Sequence, residues 1–192
     1  MSKVQSVLFV GVGGQGTILA SKVLTKGLVE KGYDVKMSEI HGMSQRSGSV
    51  STQVRFGDVV WSPIIGEGSA DVIVSFEEME AARYIQFLKP GGKVVINDCR
   101  IPSMPILAGK TSYPQGIIDE LKQHAQVTAI DATGIAASLG NVKSANIVLF
   151  GALVQALGLN DIDWAAIIAG TVKKAFIDVN LKAFEAGKAT IA

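Results

Sequence analysis

The 192-residue sequence reads as one doubly wound α/β domain spanning residues 1–192. Three observations predict this. Short apolar runs of strand length alternate with segments of helical period. A glycine-rich turn, GVGGQG, stands between the first such run and the first helix. No composition shift marks a linker and no period of roughly 20–50 residues recurs, so neither a second domain nor a solenoid is supported.

Val7 to Val10 is an apolar run that leads straight into the glycine turn. The next segment puts Ala20, Leu24 and Leu28 on one side and Lys22, Lys26 and Glu30 on the other, which is a helix with one buried face, and Gly32 suits the position just past its end. Asp34 to Ile40 gives a second strand; the following HGMSQRSGS, His41 to Ser49, is too rich in glycine and serine to continue it and forms a loop. Ser49 to Phe56 then alternates, with Val50, Thr52, Val54 and Phe56 against Ser49, Ser51, Gln53 and Arg55, the period of a strand covered on one face only.

Asp71 to Phe76 is a continuous apolar strand leading into a helix over Glu77 to Leu88, where Glu77, Glu78 and Glu80 crowd the positive end of the helix dipole. Pro90-Gly91-Gly92 closes that unit. Lys93 to Asp98 and Val127 to Asp131 are two more strands, the second preceded by an amphipathic helix around Ile117 to His124. From about Ala132 the pattern is helical: Lys143 to Leu157, then helices near Asp161 to Lys174, with Asp161 as N-cap, and Ile177 to Ala186. This tail packs on the sheet or on a partner.

Composition narrows the function. Hydrophobic residues make up 48% and charged residues 18%, a thin solvated coat that points to a surface partly covered by a partner. Lysine plus arginine number 18 against 17 acids with no basic run, which argues against nucleic acid. Cys99 is the single cysteine, so this chain alone holds no disulfide and no cysteine-ligated cluster. The N-terminus has no charged region followed by a long apolar stretch, and it reads as cytoplasmic, with no membrane segment.

Gly11, Gly13 and Gly16 fall on the G-x-G-x-x-G frame, and with Gly14, Gln15 and Thr17 they make a candidate cofactor-binding loop. Glycines allow a tight turn and close backbone approach, while the N–H groups opening a helix favour an anion such as phosphate. Glu39 stands about 20 residues on, where a dinucleotide fold places its ribose-binding acid. A stand-alone NAD(P)-binding dehydrogenase is the first candidate; the alternative is that the loop merely lets strand and helix pack closely. A dehydrogenase also needs acid–base groups, and the chain has two histidines, His41 and His124, the second on a polar, solvated helix.

The stretches GVGGQGTILASKVL, SEIHGMSQRSGSVSTQVRFG and SPIIGEGSADVIVSFEEMEAARYIQFLKPGGKVVIN resemble, in order and spacing, the small subunit of indolepyruvate:ferredoxin oxidoreductases. The likeness is strong over about residues 4 to 100 and extends to the gamma subunits of pyruvate and related 2-oxoacid enzymes; the GMSQRSGS form favours the arylpyruvate branch. The resemblance implies a three-layer α/β/α, Rossmann-like sheet, mostly parallel, with Ser49 to Phe56 as the strand that breaks the parallel order. It further implies thiamine diphosphate, Mg and 4Fe-4S clusters on a larger partner subunit, CoA as co-substrate, ferredoxin as electron acceptor through the complex, and no cofactor held by this chain alone.

Within the loop after the second strand, His41, Gly42, Met43, Gln45, Arg46, Ser47 and Gly48 are candidate substrate or subunit-interface residues. A guanidinium at Arg46 suits a carboxylate or a CoA phosphate, and an ion pair with Glu39 or a partner acid is the plain alternative. SPIIGEG reads as a turn beside the same crevice, Cys99 as a small buried or half-buried residue, and Trp61 and Trp164 as core or interface anchors. The function expected is an accessory subunit with no confident catalytic residue of its own; a purely structural assembly subunit is the rival from another class.

Overall fold

The computed structural model describes residues 4–41 and 48–191. Gly42, Met43, Gln45, Arg46 and Ser47 lie outside the described residues, as does the side chain of His41.

Six strands, β1 (Gln5–Val12), β2 (Asp34–His41), β3 (Ser49–Gly57), β4 (Ala70–Ser75), β5 (Leu88–Asn97) and β6 (Gln126–Ile130), form one sheet in the order β2-β3-β1-β4-β5-β6. β3 runs antiparallel to both β1 and β2, and every other pair is parallel. The parallel strands are apolar on successive residues because helices cover both faces. On one face Val7, Phe9, Val54 and Val74 meet α1 (Thr17–Glu30) and α6 (Ala145–Leu157), and α8 (Ile177–Lys188) packs on α6. On the other, Leu8, Val10, Ile73 and Val94 meet α2 (Glu78–Tyr84) and α4 (Ile117–His124). The short α3 (Met104–Leu107), α5 (Ala132–Ser138) and α7 (Trp164–Ala169) complete the three layers. Among the described residues no helix is long and apolar enough to cross a membrane.

Five expectations need correction. β3 is covered on both faces, because Ser51 and Gln53 are buried too and the Gln53 Oε1 accepts the Ile65 N–H at 2.6 Å. Alternation reported side-chain chemistry rather than access. The helix predicted to reach Leu88 stops at Tyr84; a 3₁₀ turn follows and β5 opens at Leu88. Pro90-Gly91-Gly92 therefore lies inside the strand, where the register to β4 slips and Gly91 takes φ +75°. The N-cap near Asp161 is Asp163, whose carboxylate accepts from the Ala166 N–H at 3.0 Å, while Asp161 pairs with Lys31 at 2.6 Å. That helix ends at Ala169, short of Lys174.

The C-terminal helices are part of the core. Trp164 is 3% exposed, packs edge-on against Phe150 with ring centroids 5.1 Å apart, and donates its indole N–H to the Leu159 carbonyl at 2.7 Å. Its ring lies against Gly27 of α1, where any β-carbon would collide with it.

Candidate functional site

β1 passes through α1 to β2 on one side of it, while β4 lies on its other side. The connections therefore part at the carboxyl ends of β1 and β4, the crevice where open α/β sheets bind ligands. The glycine loop sits there. Gln15 braces it: its Oε1 accepts from the Val12 N–H at 2.7 Å and its Nε2 donates to the Phe76 carbonyl at 2.7 Å, tying the end of β1 to the end of β4. Gly11 must be glycine because a β-carbon would stand 2.9 Å from that of Phe76. Gly16, at φ +85°, opens α1 with no side-chain cap and no acidic residue in the first turn. The first N–H groups of a helix have no intrahelical partner, so this end favours an anion.

A cavity of about 510 Å³ faces this helix end, lined among others by Gly14, Gly16, Asn97, Thr133, Lys143 and Asn146. Asn97 holds its floor, donating to Thr133 Oγ1 at 3.1 Å and accepting from the Ala132 N–H at 3.0 Å. Asn146 is 4% exposed and donates to the Gly16 carbonyl at 3.3 Å, but its Oδ1 is buried without a partner. A buried acceptor left unpaired costs about 1–3 kcal/mol, a cost that a donor reaching Asn146 would offset.

Gly11, Gly13, Gly14, Gln15, Gly16 and Thr17 are thus brought together, and the Gly13 N–H donates to the Gly48 carbonyl at 2.9 Å, joining the glycine loop to the end of the loop after β2. Glu39 is not brought to the cavity. β3 lies between β1 and β2, so Glu39 is two strand spacings from β1, roughly 10 Å, instead of the one that a dinucleotide fold provides. SPIIGEG is also elsewhere, since it follows the end of β3 and precedes the start of β4, at the amino ends of the parallel strands. Asn146, Lys143, Asn97 and Thr133 went unnoticed; the available signal was one asparagine near the start of the otherwise apolar ANIVLFGALVQAL.

Across β1 lies a second polar cluster. Glu77, Glu78 and Glu80 are 1%, 0% and 5% exposed, so they are buried as well as placed at a helix start. Glu77 caps α2 by accepting from the Glu80 N–H at 3.0 Å and also accepts from the Ile101 N–H and the Tyr113 hydroxyl. Burial, together with that Glu77 carboxylate, holds the Tyr113 hydroxyl well above the ordinary phenol range. Glu80 accepts from Ser49 and Arg83, and Glu78 from Arg100 at 2.9 Å, with Glu78 Oε2 left unpaired. Burial raises the Glu78 carboxyl above its usual range, outweighing Arg100, with Asp98 adding to the rise.

An acid raised in the folded state stabilises below its unfolded value, and that contribution is lost as pH rises through the folded value. Glu78→Gln keeps an oxygen for Arg100 and removes the buried charge. Its melting temperature is expected to equal or exceed that of the wild type above neutral pH, with the gap closing as pH falls into the carboxylate range. A deficit near neutral pH that shrinks as pH falls through the carboxylate range would show that the ion pair outweighs burial.

A family profile described as pyruvate ferredoxin/flavodoxin oxidoreductase matches residues 6–190. An indolepyruvate oxidoreductase subunit IorB of Pyrococcus horikoshii is 42% identical over 193 residues, covering 96% of this chain and 95% of that protein. The subunit of the same name from Archaeoglobus fulgidus is 38% identical over 95% of this chain and 92% of its own. Among solved structures, the gamma subunit of a keto/oxoacid ferredoxin oxidoreductase from Geobacter sulfurreducens superposes with a TM-score of 0.72 at 24% identity, over 97% of each chain. A 2-oxoglutarate:ferredoxin oxidoreductase from Magnetococcus marinus, solved with 2-oxoglutarate, coenzyme A and succinyl-CoA, gives 0.73 at 20% identity, over 99% of this chain and 31% of that one.

Proposed function

The chain belongs to the pyruvate ferredoxin/flavodoxin oxidoreductase family, and we propose that it is the small subunit of a cytoplasmic 2-oxoacid oxidoreductase of the indolepyruvate type, completing the CoA region of an active site whose cofactors sit on a larger subunit. The residues present do not fit an iron–sulfur cluster. An iron–sulfur cluster takes four thiolates, and the one cysteine, Cys99, is half-buried with its thiol pushed up by burial and the Glu77 carboxylate. In this reading the 4Fe-4S clusters, and with them thiamine diphosphate and Mg, belong to the partner, and ferredoxin is reached through the complex.

The observation that supports the reading is the cavity that faces the open start of α1 and is lined by Lys143 and Asn146, the latter with a buried, unpaired Oδ1. CoA brings both things this cavity asks for: phosphates for the helix N–H groups and the Lys143 ammonium, and amide, amino or hydroxyl donors for Asn146. Gln15 keeps the glycine loop in place and Gly13 bonds to Gly48; on this reading the residues from His41 to Gly48 contact substrate or partner. The strand order favours this over a nicotinamide site, since Glu39 is one strand too far away.

In the assembled enzyme, Asn146→Ala is expected to raise the KM for CoA on the order of 10-fold, as the loss of one buried hydrogen bond would. The KM for the 2-oxoacid is expected to stay put. An unchanged CoA KM would take CoA out of this cavity and leave an assembly role.

A further inference from the structure

We propose that the segment 58–66, through Trp61, is the anchor by which the larger subunit grips this chain; the inference rests on the subunit reading above. This segment contains neither helix nor strand, yet it is pinned. The Val60 N–H donates to Asp34 at 2.8 Å, Arg55 donates to the carbonyls of Ser62 and Ile64 at 3.0 and 3.2 Å, and the Ile65 N–H donates to Gln53. Val60 and Ile65, 3% and 2% exposed, are its buried pegs. Between and beside them it displays Val59 at 53%, Ile64 at 56% and Trp61 at 92% exposure. A preorganised loop holding a tryptophan in water has already met the ordering cost that binding otherwise imposes, and tryptophan is the residue most enriched among interface hot spots.

The surroundings extend the patch. α2 and α4 cover their face of the sheet over β1, β4, β5 and β6, and on that same face β2 and β3 present the paired positions Lys36/Arg55, Ser38/Gln53 and Ile40/Ser51. Among the described residues no helix crosses these two strands there; the pinned segment does, over Gln53 and Arg55, and Ile40 stays 51% exposed. β2 is also the edge strand. Arg55 and Asp34 are spent on the loop's own backbone, and Lys36 on Asp34. The exposed Trp61, Val59 and Ile64 match an apolar pocket with an acceptor for the indole N–H.

The larger subunit is the occupant that fits. Relatives that match over nearly their whole length, such as the Pyrococcus horikoshii protein covered over 95%, are named as subunits, and in the Magnetococcus marinus structure the region matching this fold is 31% of one longer polypeptide. The segment lies toward the amino ends of the parallel strands and the CoA cavity at their carboxyl ends, so gripping here leaves the cavity open.

The test uses the full chain labelled with fluorotryptophan, titrated with the purified larger subunit. Of the two tryptophan resonances, only that of Trp61 is expected to shift, because Trp164 is already buried. Trp61→Ala is expected to weaken association about 30-fold, the effect of a hot-spot residue, with an unchanged melting temperature. Ile64→Asp is expected to weaken it as well, and Leu107→Ala, another exposed apolar position, is not. A complex that forms with the Trp61 resonance unmoved would overturn this inference and leave the subunit reading standing. A shift that follows the concentration of this chain alone would make the patch a self-association surface and overturn it too. No association of the wild-type chains would end both.

Discussion

Alanine at Gly187 is expected to destabilise the chain by about 3 kcal/mol or more, lowering its melting temperature by roughly 10 °C. α6 and α8 cross with their backbones in contact, and each contributes one glycine. A β-carbon at Gly187 would fall inside the carbonyl oxygen of Val148 and 2.7 Å from its carbon; one at Gly151 would overlap the Phe184 carbonyl and stand 2.9 Å from the Lys188 nitrogen. Relief requires the helices to separate, and α6 cannot yield, because Ile147 through Phe150 and Ala152 through Val154 are all 0% exposed. Pushing it aside opens gaps along the core.

The sign is not trivial, since Gly→Ala inside a helix ordinarily gains about 1 kcal/mol from propensity. Overpacking must exceed that gain. Gly32→Ala is the control: it stands at φ +95° with nothing within 4 Å of its β-carbon, so its cost is backbone strain of about 1 kcal/mol. Chemical and thermal unfolding of the three proteins decides it. A Gly187→Ala melting point level with that of Gly32→Ala would mean the helices part freely.

Much of this architecture could be read from residue order because it depends on local pattern. The runs at Val7 to Val10, Asp71 to Phe76 and Lys93 to Asp98 are apolar on both parities, and only strands buried on both faces need that. The strand–GVGGQG–helix turn followed from glycine's own freedom. What failed needed a tertiary partner. Gln53 looked like part of a wet face until the 58–66 segment lay over it, and Ser51 is buried on the same strand. Two aspartates two residues apart were equally good caps, and Asp161 was taken by Lys31 from another helix. Trp61 and Trp164 are the same residue type with exposures of 92% and 3%, a difference set entirely by Gly27 and Phe150 across the core.

The candidate site divides the same way. Its glycine loop is contiguous in sequence and legible there, whereas Asn146 reaches it from a helix about 130 residues on, as the Asn146–Gly16 bond records. A lone asparagine near the start of an apolar helix is the kind of mark that deserves weight, since burying an amide costs free energy unless something pairs with it. Glu39 met its sequence spacing and missed its place because strand order, which spacing does not encode, put β3 in between.

The chain by itself is expected to show no turnover when supplied with thiamine diphosphate, magnesium, CoA, an arylpyruvate and an electron acceptor. Oxidative decarboxylation of a 2-oxoacid needs a carbanion-stabilising cofactor and a path for electrons, and a single cysteine cannot anchor such a path. Adding the larger subunit is expected to raise the rate by on the order of 10⁶-fold, the lower end of what enzymes give over the uncatalysed reaction. Arg46→Ala in that complex is expected to weaken binding of the 2-oxoacid or CoA on the order of 10-fold, because a guanidinium forks onto carboxylates and phosphates with charge-assisted bonds. Its effect separates from that of Trp61→Ala by concentration. Excess large subunit restores full activity to a chain that merely associates weakly, and it leaves the Arg46→Ala defect in KM where it was. Robust turnover from this chain without any second polypeptide would refute the subunit reading, and an Arg46→Ala defect erased by excess partner would move that residue from ligand to interface.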